Sequence, residues 1–240
     1  MTTWMPLTVL SLVLIFGLFG LVSVANAVQL NTGDLLIADP SAPTQNGGVF
    51  HLSSAGSQIS VYQGGNFVEP TGIAIDRNGD IIVGDPQAFS GGGAIFKVNP
   101  ITGVVTTVSS GGNFVDPRGV TIDANGNIFV ADSDAFGFFG GVIKVDPTTG
   151  IQTRIYTSSD VNAGPYYITI DRNGDLLITD VSGFNQAGGV IRINPVTGAS
   201  TTVSSGGNFV DPLGIAVDAN GNIFVADNSG KVIRVDPTTG

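Results

Sequence analysis

The chain contains no cysteine, a single glutamate, a single histidine and only nine lysines and arginines in 240 residues. The absence of cysteine excludes disulfides, thiolate catalysis and zinc–cysteine sites. Nineteen acidic residues leave a net charge of −10. This excess argues against nucleic acid or anionic lipid as a partner, because both require Lys and Arg to replace counterions. A cationic ligand or a metal ion is compatible with it.

What the chain has in abundance is glycine, with 35 residues, together with 12 prolines and many β-branched residues. The strong helix formers Glu, Lys and Met are scarce. This composition favours an all-β protein, and the length suits one large domain or two small ones.

An uncharged apolar run from Leu7 to Val24 precedes Ala25-Asn26-Ala27. Small residues at these positions suit signal peptidase, so residues 1–27 are predicted to be a signal peptide. The alternative is an uncleaved membrane anchor, because no Lys or Arg precedes the run and its length nearly spans a bilayer. Either way, we expect the rest of the chain to be secreted or extracytoplasmic, without membrane contact once the signal is cleaved.

The remainder is a repeat of about 47 residues, predicted as units 28–63, 64–110, 111–159, 160–205 and 206–240. One aspartate recurs at Asp76, Asp123, Asp171 and Asp218, and a second at Asp39, Asp85, Asp132, Asp180 and Asp227. Each period holds four short β segments. The first two are joined by an Asn-Gly turn, in which both central residues are expected to have positive φ. A turn of the Asp-Pro-Thr-Thr-Gly type joins the last two.

Four antiparallel strands in such a period predict the blades of a β-propeller. A sandwich of duplicated hairpins is the weaker alternative. The pattern PxGIAxDxNGNIFVAD…GxVIRVDPTTG resembles the NHL repeat and its relatives in the six-bladed superfamily of SMP-30 and gluconolactonase. That resemblance covers residues 28–240 and implies a propeller. It leaves open whether the chain is a binding scaffold, a lactonase or a lyase.

About five blades are visible. The first opens with Val28-Gln29-Leu30 as a short strand, and the last stops before its fourth strand. Five blades with one strand missing and a truncated six-bladed propeller both fit, and we expect the chain to be a fragment. An unclosed propeller would expose a strand edge at each end.

Strand alternation places the short, uniform turns on one side of the propeller, the turn face. Links between blades and long unequal loops lie on the other side, the loop face, where binding groups usually sit. The residue after the link proline varies: Thr71, Arg118, Tyr166 and Leu213. Tyr167 replaces a glycine of the other repeats. With Glu69 and the loop aromatics Phe136 and Phe138, these residues form the predicted ligand site.

The recurring Asp39, Asp85, Asp132, Asp180 and Asp227 have two interpretations. Each accepts backbone N–H groups at the start of its loop, or some join Glu69, Asp116 and Asp211 in a calcium-like cation site. The Asp-x-Asn-Gly-Asp turns faintly resemble calcium loops but fit hairpin chemistry better, because the EF-hand glycine position and final glutamate are absent.

Two further features have mainly structural explanations. His51 occupies a basic position on the third strand and is predicted to face an acidic neighbour rather than transfer protons. The loop phenylalanines are predicted to cap the blades, with an exposed patch for a partner as the alternative.

We therefore predict a non-enzymatic β-propeller that binds a protein or small molecule on its loop face and needs no cofactor. The alternative is a metal-dependent lactonase or lyase, as the SMP-30 resemblance implies. For that enzyme only Glu69 supplies a glutamate ligand, and no full ligand set matches residue by residue.

Overall fold

The computed structural model describes residues 11–14, 31, 33–41, 47–63, 66–159 and 164–240. They form five antiparallel sheets arranged as the blades of a β-propeller, which confirms the predicted all-β class. Blade 1 contains β1 (Ser11–Leu14), β2 (Leu35–Asp39), β3 (Gly48–Leu52) and β4 (Gln58–Gln63). Blade 2 contains β5 (Gly72–Ile75), β6 (Ile81–Asp85), β7 (Ala94–Val98) and β8 (Val105–Ser110), with the helical turn α1 (Ala88–Gly91).

The next blades repeat this order. Blade 3 contains β9 (Pro117–Ile122), β10 (Ile128–Asp132), β11 (Gly141–Val145) and β12 (Gln152–Thr157), with α2 (Ala135–Phe138). Blade 4 contains β13 (Pro165–Ile170), β14 (Leu176–Asp180), β15 (Gly189–Ile193) and β16 (Ser200–Ser205), with α3 (Gly183–Gln186). Blade 5 has three described strands, β17 (Pro212–Val217), β18 (Ile223–Asp227) and β19 (Lys231–Val235).

The N-terminal predictions fall largely outside the described residues. The predicted signal peptide is described only at Ser11–Leu14, and Val28 to Leu30 is not described. The strand that pairs antiparallel with β2 is β1, with Ser11 opposite Ala38 and Leu14 opposite Leu35. The described residues contain no helix long and apolar enough to cross a membrane.

The core lies between neighbouring blades rather than inside any one of them. In β10, Ile128 and Val130 pack towards blade 2, whereas Phe129 and Ala131 pack towards blade 4. All five residues of β10 are buried. Because side chains alternate between the two faces of a strand, covering both faces requires a continuous apolar run. That requirement accounts for the repeated Ile-Phe-Val-Ala sequence.

The hairpin turns correct one prediction. In the turn of blade 3, Gly126 has φ 86° but Asn125 is not among the residues with positive φ. The Gly126 N–H donates to the Asp123 carbonyl, and the Asp123 N–H donates to the Asn127 carbonyl. This is a three-residue loop with a type I turn and a glycine bulge. The Asp123 carboxylate accepts the N–H groups of Asn125 and Asn127 and so favours it.

The third-strand basic positions contact these turns. Lys97 Nζ lies 3.1 Å from Asp76 Oδ2 and 2.7 Å from Asp80 Oδ2. His51 Nε2 lies 2.8 Å from Asp34 Oδ2, and both side chains are buried. The predicted pairing of His51 with an acidic neighbour is therefore confirmed.

Candidate functional site

The loop face of blades 2 to 5 is organised by the aspartate that ends each second strand. In blade 1, the described bonds to Asp39 come from Ser41. Asp132 Oδ2 accepts the Val115 N–H, and its Oδ1 accepts the N–H groups of Asp116 and Asp134, at 2.9, 2.9 and 3.1 Å. Asp85 and Asp227 accept the equivalent bonds in blades 2 and 5. Asp180 accepts the N–H groups of Gly164 and Gly183 in blade 4. This confirms that these carboxylates fasten the links between blades to the loops.

Burial shifts the pKa values of these carboxylates to different extents. Desolvation raises the pKa of Asp132 to about 6, although three backbone hydrogen bonds act to lower it. Desolvation also raises the pKa of Asp85. Around Asp227 desolvation is outweighed by hydrogen bonds from Ser229, Val210 and Asp211, and its pKa is lowered.

Arg118 is the centre of a polar cluster above these links. Its Nε donates to Asp116 Oδ2 at 2.7 Å, and its Nη1 lies 4.0 Å from Glu69 Oε1. Ser133 Oγ donates to the same Asp116 oxygen at 2.5 Å. Desolvation acts to lower the pKa of Arg118, but Asp116 outweighs it and the pKa is raised. The guanidinium is therefore a permanent cation, and its side chain is 19% exposed.

Two adjacent tyrosines extend this cluster into blade 4. The guanidinium carbon of Arg118 lies 4.5 Å from the centre of the Tyr166 ring, within the range of a cation–π contact. The ring centres of Tyr166 and Tyr167 are 6.1 Å apart. Both side chains are half-buried. Blades 3 and 4 thus present a guanidinium stacked on an aromatic ring at the loop face.

The equivalent positions in blades 2 and 5 are enclosed instead. Thr71 and Leu213 are each only 8% exposed. The Thr71 hydroxyl donates to the Arg118 carbonyl at 3.3 Å, and the Leu213 carbonyl accepts from the Thr179 hydroxyl at 2.5 Å. The Thr71 bond reaches the inner strand β9 of blade 3, and the Leu213 bond reaches the second strand β14 of blade 4. These two predicted ligand residues therefore connect neighbouring blades, and they do not join Arg118 and Tyr166 at the surface.

The predicted loop aromatics divide into two groups. Phe136 packs against the core between blades 2 and 3, and the Arg154 guanidinium lies 5.5 Å from its ring centre. Phe184 packs similarly against the core between blades 3 and 4. Phe138 and Phe89 are 63% and 56% exposed. Capping therefore describes Phe136 and Phe184, and Phe138 projects from the loop face. Phe89 is exposed as well, although its ring centre lies 5.9 Å from that of the buried Phe96.

The proposed cation ligands are partly engaged with other groups. Arg118 lies beside both Asp116 and Glu69, and Asn228 Nδ2 donates to Asp211 Oδ2 at 2.9 Å. Across the described ranges, no group of three or more His, Cys, Asp or Glu side chains is placed to hold a metal ion. Glu69, Asp116 and Asp211 remain predicted metal ligands that the geometry does not gather into one set.

Sequence reasoning missed Ser133 and Asp134, which belong to the same cluster. Ser133 binds Asp116, and the pKa of Asp134 is raised by desolvation and by the charge of Asp116, against the opposing effect of Arg118. The available signal was their position directly after Asp132, where the repeats differ.

Comparison with known proteins supports the architecture. The NHL repeat family model matches residues 201–235, from β16 of blade 4 through the three described strands of blade 5. No curated protein sequence matches the chain. The repeat and the propeller expected from the NHL resemblance are thus confirmed, whereas a sixth blade stays a prediction.

Solved structures share the fold at low sequence identity. Virginiamycin B lyase from Staphylococcus aureus is 15% identical with a TM-score of 0.63, covering 88% of this chain and 68% of its own. A nidogen/laminin complex chain is 18% identical with a TM-score of 0.68, covering 88% and 73%. The calcium-binding protein regucalcin from Agrobacterium tumefaciens is 16% identical with a TM-score of 0.62, covering 88% and 75%. Likeness at this level shows the fold alone.

Proposed function

We propose that the chain is a secreted, non-enzymatic β-propeller that binds a protein or small-molecule ligand on its loop face. The observation that carries this proposal is the stack of Arg118 on Tyr166 across two blades. These positions differ from repeat to repeat, although the blades around them are nearly uniform. A variable pair of side chains at the loop face of an otherwise uniform repeat is typical of a binding site.

The cluster offers complementary groups to a polar ligand. Nε of Arg118 donates to Asp116, whereas Nη1 lies 4.0 Å from Glu69, which is too far for a hydrogen bond. The guanidinium therefore retains N–H donors for an acceptor on the ligand. The Glu69 carboxylate, whose side chain is 37% exposed, can accept from the ligand. The half-buried rings of Tyr166 and Tyr167 supply apolar contact area.

A metal-dependent lactonase or lyase is the second candidate. It is favoured by the likeness to regucalcin and to a gluconolactonase from Xanthomonas campestris, 15% identical with a TM-score of 0.61. In such a site a divalent cation would be held by carboxylates such as Glu69 and Asp116. Arg118 counts against it, because a cation between these carboxylates would be repelled by the guanidinium.

Selection of ligands from a displayed random-peptide library on the full chain tests the binding proposal. We expect selected peptides to lose about tenfold or more in affinity on Arg118→Ala or Tyr166→Ala. Arg77→Ala on the exposed hairpin turn is the matched control and should change nothing. Selected peptides whose affinity is unchanged by both loop-face substitutions would overturn the proposal.

The enzyme candidate needs a separate measurement. Thermal melting with calcium, magnesium or manganese, together with hydrolysis of a lactone panel, reads out a specific metal site. A melting temperature that rises with metal concentration and loses this response in Glu69→Gln, accompanied by lactone turnover, would favour the enzyme. We expect neither change up to millimolar metal.

A further inference from the structure

Three links between blades repeat an exposed valine followed by an acid: Val68-Glu69, Val115-Asp116 and Val210-Asp211, here called the Val–acid steps. The phenylalanine before each valine is buried, with 1%, 4% and 7% of Phe67, Phe114 and Phe209 exposed. The valines are 47%, 43% and 62% exposed. An apolar side chain is thus presented to solvent at the same place in three blades.

The backbone of each step is fixed, but its side chains are not needed for that. The N–H groups of Val68 and Glu69 both donate to Asp85, and those of Val210 and Asp211 both donate to Asp227. Any residue with an N–H group would satisfy these carboxylates. The exposed valine side chain therefore contributes little to folding, and its repetition calls for another explanation.

The charge around the steps is negative. Glu69, Asp116, Asp134 and Asp211 are four carboxylates, and Arg118 is the one described cation interacting with Asp116, Glu69 and Asp134. The charges of Asp116 and Asp211 both act to raise the pKa of Tyr166, so the cluster extends to Asp211 in blade 5. Three negative charges remain after Arg118 is paired. The loop face near the inner strands is therefore acidic and apolar at once.

From this alternation we infer that the Val–acid steps are a docking surface for a partner segment that interleaves Lys or Arg with apolar side chains. The inference rests on the proposed function and specifies the chemistry of the partner. Apolar side chains would cover the valines and the projecting Phe138. Cationic groups would lie at Glu69 and Asp211, where complementary charge also speeds association.

The test uses three synthetic peptides of equal length that alternate Lys with Leu, Lys with Ser, or Glu with Leu. Binding to the full chain is measured by fluorescence anisotropy at physiological salt. We expect the Lys–Leu peptide to bind about tenfold or more tightly than the other two. Equal binding of the Glu–Leu peptide would overturn the charge argument, and equal binding of the Lys–Ser peptide the apolar one.

Two loop-face variants locate the binding. The first is Val68→Ser/Val115→Ser/Val210→Ser, with the nearly isosteric Thr triple as a second version in case the first unfolds. The other is Glu69→Gln/Asp211→Asn. The turn-face controls are Ile101→Ser/Ile151→Ser/Val196→Ser, whose side chains are 51%, 64% and 89% exposed, and Asp80→Asn/Asp175→Asn.

Loss of Lys–Leu affinity by about tenfold in both loop-face variants, with none in the controls, supports the inference. Equal losses in the controls would mean general attraction to an acidic protein and would overturn it. If library-selected ligands lose affinity on Arg118→Ala while the Lys–Leu peptide binds the loop-face variants as tightly as the parent chain, this inference fails and the proposed function stands. If neither responds to loop-face substitutions, both fail.

Discussion

Blades 3 and 5 have almost the same sequence and very different surroundings. Between residues 111–132 and 206–227 only four positions differ. Phe129 and Ala131 are nevertheless buried at 1% and 0% exposure, whereas Phe224 is half-buried and Ala226 is exposed. Val142 is fully buried and Val232 is 73% exposed. The comparison shows that in this fold a neighbouring blade creates the core, and that identical repeats need not be equally stable.

The largest expected contrast concerns the shared phenylalanine of the second strand. Phe129→Ala leaves a cavity between blades 3 and 4 and should cost about 3–5 kcal/mol of unfolding free energy. Phe224→Ala removes a side chain that is already partly in water and should cost less than about 1.5 kcal/mol. Denaturant unfolding of the two variants measures this. Equal costs would mean that blade 5 is covered in solution.

The second contrast is in pH dependence. Asp132 has a folded pKa of about 6, raised by burial above its unfolded value near 3.9, so it binds a proton more readily when folded. Its contribution to stability is therefore lost as the pH rises through 6, by up to about 3 kcal/mol. The parent chain should gain stability relative to Asp132→Asn as the pH is lowered from 7 to 4.

Asp227 should give the opposite sign, because its folded pKa is lowered. Its stabilising contribution is present above the unfolded pKa and is lost as the pH falls below about 4. The parent chain should then lose stability relative to Asp227→Asn. Unfolding free energies of both variants from pH 7 down to about pH 2 provide the measurement. A shared sign would contradict the assigned environments.

A smaller contrast concerns the inner-strand glycines. A Cβ at Gly119 would lie 2.7 Å from the Cα of Tyr167, whereas the nearest atom to a Cβ at Gly214 is 3.6 Å away. Gly119→Ala should cost about 1–3 kcal/mol through overpacking, and Gly214→Ala should be close to neutral. Thermal unfolding of the pair checks this. A neutral Gly119→Ala would indicate that blades 3 and 4 separate easily.

The smallest contrast concerns the basic residue of the third strand. Lys97 contacts both Asp76 and Asp80, and Lys97→Met should cost less than about 1 kcal/mol. Arg234 is exposed and donates to Asn222 Oδ1 rather than to a carboxylate. Arg234→Met should change stability by less than about 0.5 kcal/mol and show no salt dependence. Melting at low and high salt distinguishes the two.

The sequence predicted the blades and the fastening role of the recurring aspartates well, because both repeat with a fixed period. It did not predict which variable positions meet. Arg118 and Tyr166 occupy equivalent positions of successive repeats, and their stack depends on how closely blades 3 and 4 approach. Thr71 and Leu213 share that position yet are buried. Their exposure is set by neighbouring blades, which the repeat pattern does not describe.

The prediction of the turn geometry was wrong for a more local reason. An Asn-Gly pair favours positive φ at both residues when the backbone alone decides. Here the Asp123 carboxylate binds two N–H groups of the turn and selects the three-residue loop instead. Competition between a side chain and the backbone was not visible in the Asn-Gly pair by itself.

The aspartate at the end of each second strand has a practical consequence. In blades 2 to 5 it accepts backbone N–H groups from the preceding link and from the following loop, and these bonds do not depend on the side chains of either segment. The loop after Asp132 contains α2 and three phenylalanines, whereas the one after Asp227 spans only 228–230. Because the anchor uses only backbone N–H groups, exposed residues of the loop such as Phe138 can be exchanged, provided that Ala135 and Phe136, which pack in the core, are kept. Loops of different length and sequence can therefore follow the same second strand in different blades.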